Sequence, residues 1–275
     1  MSLSLFCKEL TVLDYAYWNL NKGPIGDSLY VDVELFGSVD KEFVIFDFSR
    51  TKKTIKSIID GCCDHRLLIT KNLTEEVGED LQVDHMGFYY KAPRQAFCLI
   101  EGSEINMNSI QNFLEKKVFE GLPENVEQIK ITLRQEIYPK GQSHFHYTHG
   151  LKLHDGNCQR LLHGHHNIVE VFQDGKKSEE MESYISQELF HANVHFVFKE
   201  NIIEETQDQI HIKYKSKQGV FELKLPKKFC YIFESETTVE NLAKEFYHLV
   251  KLRNPNSKNI LVRAYEGINK GASYS

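Results

Sequence analysis

Several features that would place a chain in a specialised class are missing here. No apolar run approaches the roughly 20 residues needed to span a bilayer, which argues against a helical membrane protein. The opening MSLSLFCKEL lacks a basic stretch followed by a long apolar core, so no secretory leader is expected. Six cysteines in 275 residues form no disulfide framework, and Cys62 and Cys63 are adjacent rather than C-x-x-C spaced. A reduced, cytoplasmic compartment is the simpler expectation. Basic charge is in deficit, with 33 Lys and Arg against 39 Asp and Glu and a net charge of −6. A nucleic-acid binder would favour a basic face, so that class of partner is not expected. Proline and glycine are modest at 6 and 16 residues, and no Pro- or Ser-rich linker divides the chain. What remains is a globular protein long enough to bury a large core in one or two domains.

What the sequence does have is histidine, concentrated in one place. Phe145 to Val171 holds six of the thirteen. His163 and His165 are two apart, and on a strand continuing into Ile168–Val171 both would face one side. His149 ends an earlier alternating run, with Gly156-Asn157 as turn residues between. A hairpin would set it opposite the pair and give three imidazoles facing one point, the ligand set of an open, catalytic Zn²⁺ site. Cys158 lies on the intervening loop. It is either a thiolate beside the metal or a fourth ligand that closes the site. His-rich tracts are also common as surface metal scavengers, which would bind more than one ion.

The chain repeats itself at a spacing of roughly 130 residues, the signature of a duplicated unit. Phe97-Cys98-x-Ile100-x-x-Ser103-Glu104 returns as Phe229-Cys230-x-Ile232-x-x-Ser235-Glu236. Glu136, Lys140 and Gly141 return as Glu266, Lys270 and Gly271. Two units are expected, 1–140 and 141–275, separated only by Tyr138-Pro139-Lys140-Gly141. Each reads as ββ–α–β(β)–α–β. In the first, strands are expected over 5–13 and 29–36 around a turn at 22–26, with helices over 49–60 and 108–119. In the second, the hairpin spans 145–153 and 168–172, and helices cover 178–189 and 238–250.

The pattern Phe145-x-x-x-His149, then Cys158, then His163-Gly164-His165 resembles the 6-pyruvoyltetrahydropterin synthase / 6-carboxytetrahydropterin synthase family of T-fold enzymes. Glu234 to Ala243 is similar to that family's E-N-x-T-x-E-N-L-A helix start, and Glu266 with Ala272 and Tyr274 to its closing E-x5-A-x-Y. Cys63-Asp64-His65-Arg66-Leu67-Leu68 resembles its L-D-H-x-x-L. The resemblance implies an α+β fold of two tandem T-fold units, each an antiparallel sheet with two helices on one face, assembling into a barrel as a homo-oligomer. It implies Zn²⁺ on His149, His163 and His165, Cys158 as general base, and an Asp64-His65 pair that moves a second proton. Glu266 is implied as the pterin anchor, a carboxylate accepting from the 2-amino group and ring N–H, with Glu136 its copy in the first half.

The two halves divide these residues. Tyr17, Ile25 and Asp27 stand where His149, His163 and His165 are, so the first half is expected to bind no zinc. In the second, Asn193-Val194-His195 is aligned with Cys63-Asp64-His65, which removes the aspartate. The expected activity is a zinc-dependent lyase acting on 7,8-dihydroneopterin triphosphate. Its product is 6-carboxytetrahydropterin, on the queuosine and deazapurine route, or alternatively 6-pyruvoyltetrahydropterin. A non-catalytic pterin- or purine-binding protein with a structural zinc is the reading from another class.

Overall fold

The computed structural model describes residues 3–275. Alternation of apolar and polar residues builds the first hairpin, β1 (Ser4–Asn19) against β2 (Gly23–Gly37). It is longer than the expected strands because Pro24-Ile25-Gly26 lies in β2, not in the turn. The turn is closed instead by the Asn19 side chain, which accepts from the N–H groups of Asn21 and Lys22, each at 3.0 Å. Pro24 is tolerated at the start of β2, where the strand pairs with β1 alone, its second neighbour joining only from Leu29 onward.

Helix α1 (Phe48–Cys62) is capped by Asp47, which accepts from the Arg50 N–H at 2.9 Å, and buries Thr51, Ile55 and Ile59. After β3 (Leu67–Thr70) come three strands that the sequence analysis does not include: β4 (Glu75–Val77), β5 (Asp80–His85) and β6 (Phe88–Pro93). Then follow β7 (Phe97–Ile100), α2 (Met107–Phe119) and β8 (Val126–Gln135).

The second half repeats the plan. β9 (His144–His149) and β10 (His163–Gln173) form the hairpin, with the short β11 (Lys176–Lys177) folded back on β10. The expected helix over 178–189 is α3 (Glu179–Ser183) running into a π-helical turn, Tyr184–Leu189. Strands β12 (Asn193–Phe198), β13 (Ile202–Glu205), β14 (Gln209–Ser216), β15 (Gly219–Pro226) and β16 (Cys230–Phe233) precede α4 (Val239–Arg253), β17 (Ile260–Tyr265) and β18 (Gly271–Tyr274).

Strand order exposes the duplication. The first sheet runs β7-β3-β1-β2-β8 and the second β16-β12-β9-β10-β17-β18, the same order strand for strand up to the final β18. In each, the expected antiparallel sheet is extended at one end by two parallel strands. A third, six-stranded sheet, β13-β14-β15-β6-β5-β4, takes three strands from each half and joins them where β15 pairs with β6.

Each main sheet packs its two helices over its own apolar core. A further core, around Trp18, Tyr90, Leu162, Phe221 and Leu223, lies under the shared sheet and draws on both halves. The hairpins also meet directly. Gly26 and Gly164, equivalent residues, approach back to back, and a Cβ on either would collide with the Tyr147 carbonyl oxygen. The two copies are therefore locked together by a shared sheet, a shared core and this backbone contact.

Candidate active site

The register of β9 with β10 sets His149 opposite His163 and Tyr147 opposite His165. All three histidines are fully buried. Their ring centroids stand 4.4, 5.5 and 5.7 Å apart. His149 Nδ1 donates to the Thr237 carbonyl at 3.1 Å, and His163 Nδ1 donates to the Arg160 carbonyl at 2.8 Å. A carbonyl can only accept, so each ring holds its proton on Nδ1 and leaves a lone pair on Nε2. None of the three Nε2 atoms has a hydrogen-bond partner among the described residues. Burial, reinforced by the neighbouring imidazoles, holds His149 and His163 well below the ordinary histidine range. Neutral rings with convergent, unpartnered lone pairs are what a divalent metal requires.

Glu266, just past the end of β17, sets Oε1 3.9 Å from His149 Nε2. The ligand atoms of His149, His163, His165 and Glu266 all lie within 4.8 Å of one another. The donor set fits a first-row divalent ion.

Against this cluster lies a pair from the other half. α1 ends at Cys62, and His65 turns out of it with φ of +53°, a left-handed conformation rare for a side chain this size. That turn points the imidazole at the histidines, with its ring 5.0 Å from that of His163. Asp64 Oδ2 accepts from His65 Nδ1 at 2.6 Å. Cys158 sits on a short 3₁₀ turn, Asn157–Gln159, held when its carbonyl accepts from the Leu151 N–H at 2.8 Å. The ligand atoms of His65, Cys158 and His163 lie within 4.8 Å of each other. Burial works against a charged His65, but Asp64 and Cys158 beside it push the imidazole up to about 10. The Cys158 loop is fixed from the shared sheet, where Tyr214 Oη donates to the Gln159 carbonyl at 2.7 Å and Arg160 Nε to Gln218 Oε1 at 2.8 Å.

Residues 139–275 match the family model described as 6-pyruvoyl tetrahydropterin synthase. The second half is a domain of this family. It is 24% identical over 124 residues to a protein of Pyrococcus horikoshii with the provisional name 6-carboxy-5,6,7,8-tetrahydropterin synthase, covering 45% of this chain and 76% of that one. A protein of Pyrococcus abyssi with the same provisional name is 21% identical over 111 residues, 40% of this chain and 68% of its own. Among solved structures, a catalytic-residue mutant of Plasmodium vivax 6-pyruvoyltetrahydropterin synthase aligns with 15% identity and a TM-score of 0.38 over 50% of this chain and 99% of its own. The Plasmodium falciparum enzyme aligns with 14% identity and the same TM-score over 49% and 99%.

The two T-fold units carry different residues at equivalent positions. The registers make Tyr17 the counterpart of His149, Ile25 of His163 and Asp27 of His165. A cavity of about 230 Å³ lined by Tyr15, Tyr17, Asp27, Asn106 and Gln135 marks the first unit's counterpart of the site.

One alignment is corrected. Leu67 lies opposite Ala16 and His195 opposite Thr148, so His195 corresponds to Leu67, not to His65. It is a buried strand residue bound to the Thr148 hydroxyl at 2.7 Å and pushed down to about 3 by burial. The second half thus has no counterpart of the pair at that position, and Val194 does not replace its aspartate.

Sequence reasoning did not find Asp14, which faces His165 from β1, or the carbonyls of Thr237 and Arg160 that fix two tautomers. Carbonyls leave no trace in a sequence. Asp14 did leave one, as a lone charge within the apolar run from Val12 to Trp18.

Proposed function

We propose that the chain converts 7,8-dihydroneopterin triphosphate into 6-carboxytetrahydropterin at one composite, zinc-dependent site. Residues 1–140 contribute the Asp64-His65 pair, and residues 141–275 contribute Cys158, Glu266 and the three histidines. The observation that carries this reading is the meeting, inside one chain, of His65 and Cys158 beside three unpartnered Nε2 atoms.

His149, His163 and His165 would hold the zinc. When bound, it would supply Lewis acidity to the oxygens of the substrate side chain. The chain's own groups manage the protons. Cys158, as a thiolate beside the charged His65, takes a proton from the side chain of the substrate. His65, oriented by Asp64, returns one to the reacting centre. Glu266 accepts from the 2-amino group and ring N–H of the pterin and so registers the ring against Cys158. The left-handed turn at His65 is the local strain that keeps the imidazole aimed across the boundary between the halves.

The choice of the carboxy product is supported by the names of the two archaeal relatives. It releases acetaldehyde and triphosphate, whereas the 6-pyruvoyl product releases triphosphate alone. Incubation of zinc-loaded protein with dihydroneopterin triphosphate, followed by product identification, tests it. Acetaldehyde with 6-carboxytetrahydropterin is the expected result. A 6-pyruvoyl product would refute the product assignment, and pterin binding with no release of triphosphate would refute turnover.

A further inference from the structure

The unit without metal ligands nevertheless grips one belonging to the other unit. Asp14 is on β1, yet only 2% of its surface is exposed, because it is covered by the second half. Its Oδ1 stands 3.2 Å from His165 Nδ1, short of hydrogen-bond alignment, and that nitrogen has no hydrogen-bond partner among the described residues. His149 and His163 differ, since a backbone carbonyl holds each of their Nδ1 atoms. His165 alone depends on a side chain from the opposite unit.

The surroundings keep that carboxylate charged and in place. Ser28 Oγ donates to Asp14 Oδ1 at 2.6 Å, and Lys270 Nζ donates to Oδ2 at 2.9 Å. Lys270 is in the same turn as Glu266, whose N–H donates to the Lys270 carbonyl at 3.0 Å. Gly267, with φ of +79°, leaves room for the carboxylate, since a Cβ there would stand 2.6 Å from both of its oxygens. The Asp14 backbone also holds the proton pair. Its N–H donates to Asp64 Oδ1 at 3.1 Å, and its carbonyl accepts from the His65 N–H at 2.7 Å. One residue therefore touches the metal-ligand strand, the Asp64-His65 pair and the turn carrying Glu266.

A related acid–imidazole contact, not the exact equivalent, lies on the other side of the boundary between the units. The hairpin registers make Asp14 equivalent to His146, Ser28 to His166 and His165 to Asp27. On that side Asp27 Oδ1 lies 3.7 Å from His166 Nδ1, with His146 in the same cluster. An acid–imidazole contact thus crosses the boundary twice. The two sides differ at Nε2: that of His165 has no hydrogen-bond partner among the described residues and faces two further unpartnered Nε2 atoms, whereas that of His166 is bound to His144 Nδ1 at 2.8 Å.

We propose that Asp14 is a positioning residue for the metal centre: a carboxylate from the first unit that orients His165 through Nδ1 and so sets the affinity of the three-histidine set. The inference rests on the metal reading given under Proposed function. A carboxylate behind a ligating imidazole fixes its orientation and raises its basicity, and loss of such a partner typically costs 10–100-fold in metal affinity.

The test uses the full chain, stripped and reloaded with Zn²⁺ or Co²⁺, with affinity measured by chelator competition. Asp14→Asn is expected to weaken binding by roughly 10–100-fold and to alter the Co²⁺ d–d spectrum, with partial recovery in Asp14→Glu. Asp27→Asn, the equivalent change on the other side, keeps wild-type affinity. Lys270→Met lowers stability but leaves the metal bound, which separates positioning from a plain ion pair.

A folded Asp14→Asn protein that binds metal like the wild type overturns this inference alone. Wild-type protein that binds no metal overturns the metal reading as well. Should Asp14→Asn not fold, the zinc-loaded wild type still decides the matter. A downfield, exchange-protected imidazole N–H resonance that disappears in His165→Gln is expected, and its absence counts against the role.

Discussion

At the scale of single residues, the proposed site separates groups that would hold a metal from groups that would move protons, and the two sets are expected to fail differently. Cys158 groups with His65 and His163 and is not in the cluster that joins His149, His163 and His165. Cys158→Ala is therefore expected to keep its metal while turnover falls by about 10²–10⁴, the usual cost of a general base. Metal analysis alongside product release checks this, and loss of metal would mark the thiol as a ligand. His65→Ala should likewise lose activity at unchanged metal content. His195→Ala should not, because that imidazole is buried against Thr148 and neutral. Its cost belongs in stability, as a lost buried hydrogen bond and a cavity. Glu266→Gln turns an acceptor into a donor facing the pterin's donors. Pterin affinity measured by calorimetry should drop by about 1.5–3 kcal/mol, the range for hydrogen bonds to charged groups.

Elements carry the geometry that these residues need. β2 and β10 can approach only because Gly26 and Gly164 have no side chains where they meet. Gly26→Ala is expected to destabilise the protein by about 1–3 kcal/mol, as overpacking does, in urea unfolding followed by fluorescence. Gly61 provides the contrast. It lies near the end of α1 with open space around its Cβ position, so Gly61→Ala should stabilise by about 0.5–1 kcal/mol through helix propensity. Equal effects at the two positions would count against a special close approach at Gly26. The strands β5 and β6 were not expected, although their alternation is legible in the sequence. Leu81 and Val83 alternate with polar residues, as do Phe88, Tyr90 and Ala92. Their buried face packs on the core shared by both halves, a partner that no local window contains.

For the whole molecule, the meeting of Asp64-His65 with Cys158 inside one chain predicts how variants complement. Mixing His65→Ala chains with Cys158→Ala chains under conditions of proven subunit exchange should restore no activity. Each chain would complete its own site, and each variant would lack one part of it. Recovered activity would mean that the working site forms between chains. No helix among the described residues is long and apolar enough to cross a membrane, in keeping with the sequence.

The one-dimensional information was strongest where chemistry and period coincide. The spacing of His163 and His165 on a β-period, the upstream His149 and the repeated Phe-Cys-x-Ile motif were enough to predict a duplicated fold and a three-histidine cluster in one half. The reason is local: a strand alternates its faces whatever packs against it. Alignment without pairing went astray at His195, because only the ladder shows that it faces Thr148 as Leu67 faces Ala16. The tertiary structure alone decided which groups cross between the halves: His65 onto Cys158, Asp14 onto His165, and β6 onto β15. Those contacts join residues about a hundred or more positions apart, through hydrogen bonds and close approaches that depend on the relative placement of two folded units. Neither unit's own periodicity contains that placement.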